Sequence, residues 1–163
     1  MSMSKIVKTI TALTFWAIIV FGLYVVIHGH LTPGGGFQGG AVIASSTALF
    51  LVAFSKEDFL RKYKDSFFSV AESGGLILFI SIAFLGIGAT FFYNFIANSG
   101  GVFGNPVPLG INDGDLNTAG TLPPMNMAVG LEVFGGISMI LFFMFLGAYL
   151  KPFNKEESEV HKR

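Results

Sequence analysis

The sequence predicts an all-α membrane protein with four transmembrane helices and a short amphipathic helix in the loop between the second and third. Three observations carry this. Of 163 residues, 52% are hydrophobic and only 12% charged, and the mean hydropathy is +0.68, a balance that needs lipid around it rather than water. Four predominantly apolar runs approach or exceed the ~20 residues that a helix needs to cross a bilayer core of about 30 Å. Finally, the 10 Lys and Arg (Lys5, Lys8, Lys56, Arg61, Lys62, Lys64, Lys151, Lys155, Lys162, Arg163) cluster near the N-terminus, between the second and third runs, and in the C-terminal tail.

The first run, about Ile6 to Ile27, follows Lys5 and Lys8 and lacks a small-residue cleavage site, so it reads as a retained helix. It ends at His28-Gly29-His30-Leu31-Thr32-Pro33-Gly34-Gly35-Gly36, where Pro and consecutive Gly discourage helix. The second run is expected from about Phe37 to Phe54. In Ser55 to Ser66, Phe59, Leu60, Tyr63 and Phe67 recur at near-helical spacing, and Glu57/Arg61 and Asp58/Lys62 are i,i+4 pairs. That pattern fits a helix lying on the membrane surface.

The third run, about Ser69 to Ile96, is long enough to imply tilt. It opens on Ser69-Val70-Ala71-Glu72, the capping-box pattern in which two side chains satisfy orphan backbone donors. Ala97 to Met125 is rich in Gly, Asn, Pro and Asp, and Pro106, Pro108, Pro123 and Pro124 argue against regular helix there. The fourth run spans about Asn126 to Tyr149, and a charged tail closes the chain. Four spans make a single integral domain over 1–163 and leave no length for a soluble catalytic domain, so no enzyme acting alone is expected. No internal repeat of the kind that builds a self-contained transporter is present.

Basic residues stay cytoplasmic. The expected protein is therefore multi-pass in the cell membrane, with both termini and the Ser55 to Ser66 connection cytoplasmic and with the glycine turn and Pro-rich loop facing outward. Net charge is zero, with 10 Asp and Glu balancing the bases, so nucleic acid is not an expected partner. Cysteine is absent, which removes thiolate nucleophiles, Cys-ligated zinc and iron–sulfur clusters. No cofactor or metal is expected in this chain.

Four side chains are candidates for an ion pathway. Glu132 falls about two turns, or about 11 Å, inside the fourth run at 1.5 Å per residue. An intramembrane carboxyl faces a bundle interior, a partner or a water cavity, so it is either a proton-path group or a hydrogen-bonded tie between helices. Glu72 is already explained as a helix-start acid, yet it lies nearer the cytoplasmic face, so the two carboxylates bracket a conceivable pathway. His28 and His30 lie at the outer edge of the first helix. Their i,i+2 spacing splays them, and His161 is in the tail across the membrane, so shared metal or haem ligation has no support; interfacial hydrogen bonding or a proton relay remains.

Pro33, Gly34, Gly35, Gly36, Phe37, Gln38, Gly39 and Gly40 form a glycine-rich stretch without the Lys and Ser/Thr of a phosphate-binding loop. Its use is backbone freedom and close helix approach at a tight re-entry. Gly40, Ala44 and Ala48 extend it as a small-residue stripe suited to packing in lipid. The Asn and Ser residues of the third and fourth runs add nothing specific.

The contiguous Gly29-His-Leu-Thr-Pro-Gly-Gly-Gly-Phe-Gln-Gly-Gly40 resembles the signature of the MnhB family, one of the small membrane subunits of multisubunit Na⁺/H⁺ antiporters of the Mrp type. Similar subunits occur in the antiporter-like modules of archaeal membrane-bound hydrogenases and sulfane sulfur reductases, kin of respiratory complex I. The resemblance covers essentially the whole chain and is strongest over Val25 to Phe54. It implies an accessory role next to other small and large antiporter-type subunits, with Na⁺ and H⁺ as the transported ions of the complex. It also implies that Pro33, Gly34, Gly35, Gly36 and Phe37 tolerate change least. A structural or assembly role without an ion path, or a small self-sufficient oligomeric channel, remains open on the residues alone.

Overall fold

The computed structural model describes residues 3–31, 33–54, 65–107 and 115–150. Among these residues the regular elements are four helices: α1 (Lys5–Ile27), α2 (Gly35–Ala53), α3 (Asp65–Leu85) and α4 (Leu122–Leu150). All four are long and apolar enough to cross a membrane, and the chain is a multi-pass membrane protein. The surface helix expected over Ser55 to Ser66 falls almost wholly outside the described residues.

α1 starts at Ser4, whose hydroxyl accepts a bond from the Val7 amide at 3.4 Å and so satisfies one orphan donor of the first turn. The helices then pack in the order α1, α2, α4, α3, with α1 touching α4 only slightly. Neighbours along the chain run antiparallel, because Gly22 meets Gly39 and Ile43 while Gly29 meets Gly35. α2 and α4 run parallel: Gly36 lies on Asn126, Gly40 on Gly130, and Thr47 on Ser138. The alternation puts the start of α1, the end of α2, the start of α3 and the end of α4 at one end of the bundle. Lys8 sits 5.5 Å from the Phe54 ring centroid at that end, a cation–π contact between α1 and the end of α2.

The two ends of the bundle are packed differently. Near the N-terminal end the core is aromatic, with Phe50, Leu51, Phe68 and Phe142 buried and Phe15, Phe54 and Phe134 against them. Toward the opposite end, contact is backbone on backbone, through glycine. Between them the Thr47 and Ser138 hydroxyls lie 3.2 Å apart, both buried, and join α2 to α4. Such interhelical bonds contribute about 0.6 kcal/mol on average in lipid. A double-mutant cycle of Thr47→Val and Ser138→Ala, read by thermal unfolding in detergent, is expected to return a coupling of about that size; zero coupling would assign the pair to packing alone.

Three expected boundaries are corrected. α3 starts at Asp65 rather than Ser69, so Ser69 and Glu72 lie inside the helix and the capping-box reading fails. α3 also ends at Leu85 rather than Ile96: the chain turns at Gly86, folds back so that the Phe92 amide donates to the Ala83 carbonyl at 3.2 Å, and lays Gly86 on the Tyr93 backbone. At 21 residues α3 is about 31 Å long, enough to cross the bilayer core. α4 begins at Leu122 rather than Asn126. Pro123 and Pro124 occupy its first turn, where their missing amide protons have no helical partner to lose.

The connection before α4 is held by Asn94, whose side-chain amide donates to the Ala119 carbonyl at 3.1 Å and whose oxygen accepts from the Thr121 amide at 2.8 Å. The loop strands are pinned further by Asn105 to Asn117 and Gly120 to Phe103 backbone bonds at 2.9 and 2.7 Å.

Candidate functional site

The glycine turn is built on α4. Gly34 is the N-terminal cap of α2 with φ 110°, and Gly35 follows at φ 50°, a left-handed path that only glycine takes without strain. The Gln38 side chain folds back over Gly34 and fills the space that any β-carbon there would need. A β-carbon on Gly29 would stand 2.5 Å from the Gly35 Cα and 3.0 Å from the Asn126 side-chain nitrogen; on Gly36 it would overlap the Asn126 backbone carbonyl. The turn is thus a three-way junction of α1, α2 and the first turns of α4, with the Asn126 amide over Gly29 and Gly35. Asn126 is a residue that reading the sequence passed over.

Around this junction, Gly39 faces α1 while Gly36 and Gly40 face α4. Ala44, one turn beyond Gly40, is fully buried, and Thr47 meets Ser138 of α4. Pro33 and Phe37 are exposed, with Phe37 at 60%; neither is held inside the chain.

The two carboxylates come together at one level of the bundle. Where α3 crosses α4 each helix offers a glycine to the other. A β-carbon on Gly75 would stand 2.5 Å from the Glu132 amide nitrogen, and one on Gly135 would stand 2.5 Å from the Glu72 amide nitrogen. Glu132 therefore lies opposite Gly75, three residues or about 4.5 Å along α3 from Glu72. The expectation that the pair brackets the bilayer from opposite faces is corrected. Because α4 starts four residues earlier than expected, Glu132 is ten residues, or about 15 Å, from its start. Glu132 is half-buried at the crossing, whereas Glu72 is exposed in the chain taken alone.

The histidines are not part of that level. His28 stacks on Tyr24 with ring centroids 4.0 Å apart, and its Nδ1–H donates to the Tyr24 carbonyl at 3.0 Å. Both ring nitrogens of His30 are buried without a hydrogen-bond partner among the described residues. Both histidines belong to the turn beside Asn126, about 9 Å along α4 from Glu132. A separate apolar pocket of about 210 Å³ opens between α1 and α3, lined by Phe15, Trp16, Phe50, Phe68 and Phe134 among others.

A four-helix membrane protein closed by a glycine junction, with two carboxylates at mid-depth, is the class that fold and site define. The family described as "Domain related to MnhB subunit of Na+/H+ antiporter" matches residues 6–139, and the chain belongs to this family. It is 35% identical over 130 residues to "Uncharacterized protein MJ1307" of Methanocaldococcus jannaschii, covering 77% of this chain and 46% of that protein. It is 35% identical over 72 residues to "Putative antiporter subunit mnhB2" of Staphylococcus aureus, covering 44% of this chain and 51% of that one. The chain thus spans about half the length of these curated relatives. Among solved structures it is similar to a chain of the membrane-bound sulfane sulfur reductase, an archaeal respiratory membrane complex, with a TM-score of 0.72 and 31% identity, covering 87% of this chain and 58% of that one.

Proposed function

We propose that this chain is a non-catalytic accessory subunit of a cation- and proton-translocating membrane complex of the Na⁺/H⁺ antiporter type. It works next to other small and large antiporter-type subunits and carries no cofactor of its own; Na⁺ and H⁺ are the ions moved by the assembly. The observation that carries this reading is the family match over residues 6–139, which takes in the glycine junction and both mid-depth carboxylates. The likeness to a chain of an archaeal respiratory complex over 87% of this chain favours the ion-translocating module of such a complex over a free-standing antiporter. A tag on this chain is expected to bring down large antiporter-type subunits from mildly solubilised membranes, and recovery as a stable lone chain would overturn the reading.

In this proposal the basic end of the bundle is cytoplasmic. The absence of cysteine makes the test clean, since a single introduced thiol is the only one. Asn105→Cys in the exposed loop is expected to react with an impermeant maleimide in intact cells, and Ser4→Cys only after the membrane is opened. The reverse pattern would invert the orientation.

A further inference from the structure

Glu72 stands where a carboxylate has no reason to stand unless something covers it. It lies seven residues, or about 10 Å, inside α3, with its backbone against Gly135, the middle residue of the apolar span Leu122–Ala148. Its side chain does not enter the bundle. It packs past Gly136, whose β-carbon would stand 3.5 Å from Glu72 Oε1, at the head of an open groove lined otherwise by Gly136, Met139, Ile140, Phe143 and Met144.

The groove is one face of α4. Gly136, Ile140, Phe143, Met144 and Gly147 follow i, i+4, i+7, i+8, i+11 spacing, the stripe by which one helix receives another. Ile140 and Met144 are 60% and 67% exposed, and nothing within 4 Å would meet a β-carbon on Gly147, so both ends of the face admit close approach. Lipid would cover the apolar residues well. It would leave the acid desolvated and unpaired, which intramembrane carboxylates avoid by pairing with a partner.

We propose that this groove receives a transmembrane helix of another subunit, and that this helix carries a basic side chain that pairs with Glu72. The inference rests on the accessory-subunit reading and adds which face docks and what chemistry it requires. A hydrophobic helix without a base satisfies the groove but not the acid. A second copy of this chain offers Lys5 and Lys8 only in the first turn of α1 and no Lys or Arg deeper in any of its four apolar spans, so it brings no base to the depth of Glu72.

The test uses the complex in its own membranes, with a photoreactive phenylalanine analogue at Phe143. Expected is an adduct to a transmembrane segment of a different subunit, with a Lys, Arg or His within about one helical turn of the adduct site. An adduct to lipid alone, to a second copy, or to a helix without a base would overturn the inference. Glu72→Lys is expected to lower the adduct about tenfold, and changing the partner's base to Glu is expected to restore it. Should Glu72→Lys fail to accumulate, Glu72→Gln keeps the shape, and the adduct is expected to fall severalfold; an unchanged yield would sink the pairing. If the chain still co-purifies with antiporter-type subunits while Phe143 reacts only with lipid, the docking inference falls and the accessory-subunit reading stands, whereas a chain that purifies alone removes both.

Discussion

Gly36→Ala is expected to cost this protein more stability than any other single added methyl, with loss of most of the folded chain from detergent extracts. The reason is where the new atom goes. A β-carbon there overlaps the backbone carbonyl of Asn126, and backbone cannot rotate away as a side chain does. Ordinary overpacking costs ~1–3 kcal/mol; here relief requires α2 and α4 to separate along Gly40–Gly130 as well, where backbone is also in close contact. Gly74→Ala is the control, since nothing lies within 4 Å of a β-carbon at that position. In an exposed helix interior the same change gains up to about 1 kcal/mol through helix propensity. Thermal unfolding of the two variants followed by size-exclusion chromatography separates the cases, and similar midpoints would show that α2 and α4 approach less closely than this geometry requires.

Four spans and their alternation were legible in this sequence because hydropathy reports on lipid directly and because Lys and Arg group at alternate ends of the spans. The boundaries were less so, for identifiable reasons. Residues 86–96 are rich in Phe and Ile, so hydropathy extends the third span through them, but hydropathy does not report where backbone turns back at Gly86. Ser69 and Glu72 match a capping pattern by spacing alone, while α3 begins four residues earlier.

Prolines read as helix breakers at 123 and 124 in fact sit where a helix tolerates them. The glycine turn was recognised as a place of close approach. Its partner was not, because an Asn one turn after two prolines has no periodic signal; only the fold puts Asn126 over Gly29 and Gly35. The relative level of Glu72 and Glu132 was hidden for the same reason, since it depends on the register of α3 against α4 and on where each helix starts.

That register gives Glu132→Gln the largest expected effect on transport. Gln has nearly the shape of Glu and can hydrogen-bond, so the α3–α4 crossing at Gly75 and Gly135 is expected to close as before and the complex to assemble in normal yield. What Gln lacks is a proton that can leave. A carboxyl about 15 Å from the start of α4, half-buried at a helix crossing, is too far from either surface to be an interfacial anchor, and groups at that depth mark ion or proton paths.

Sodium-driven proton movement in everted vesicles is therefore expected to fall by about tenfold or more for Glu132→Gln, which corresponds to about 1.4 kcal/mol or more in barrier. The amount of assembled complex must be equal in both preparations. Glu132→Ala controls for packing: it leaves a void at the crossing and is expected to lower both transport and assembly. If Glu132→Gln instead transports at the normal rate in fully assembled complex, the carboxyl serves only to tie α4 to its surroundings. The path would then run elsewhere in the assembly, with this chain as a wall of it.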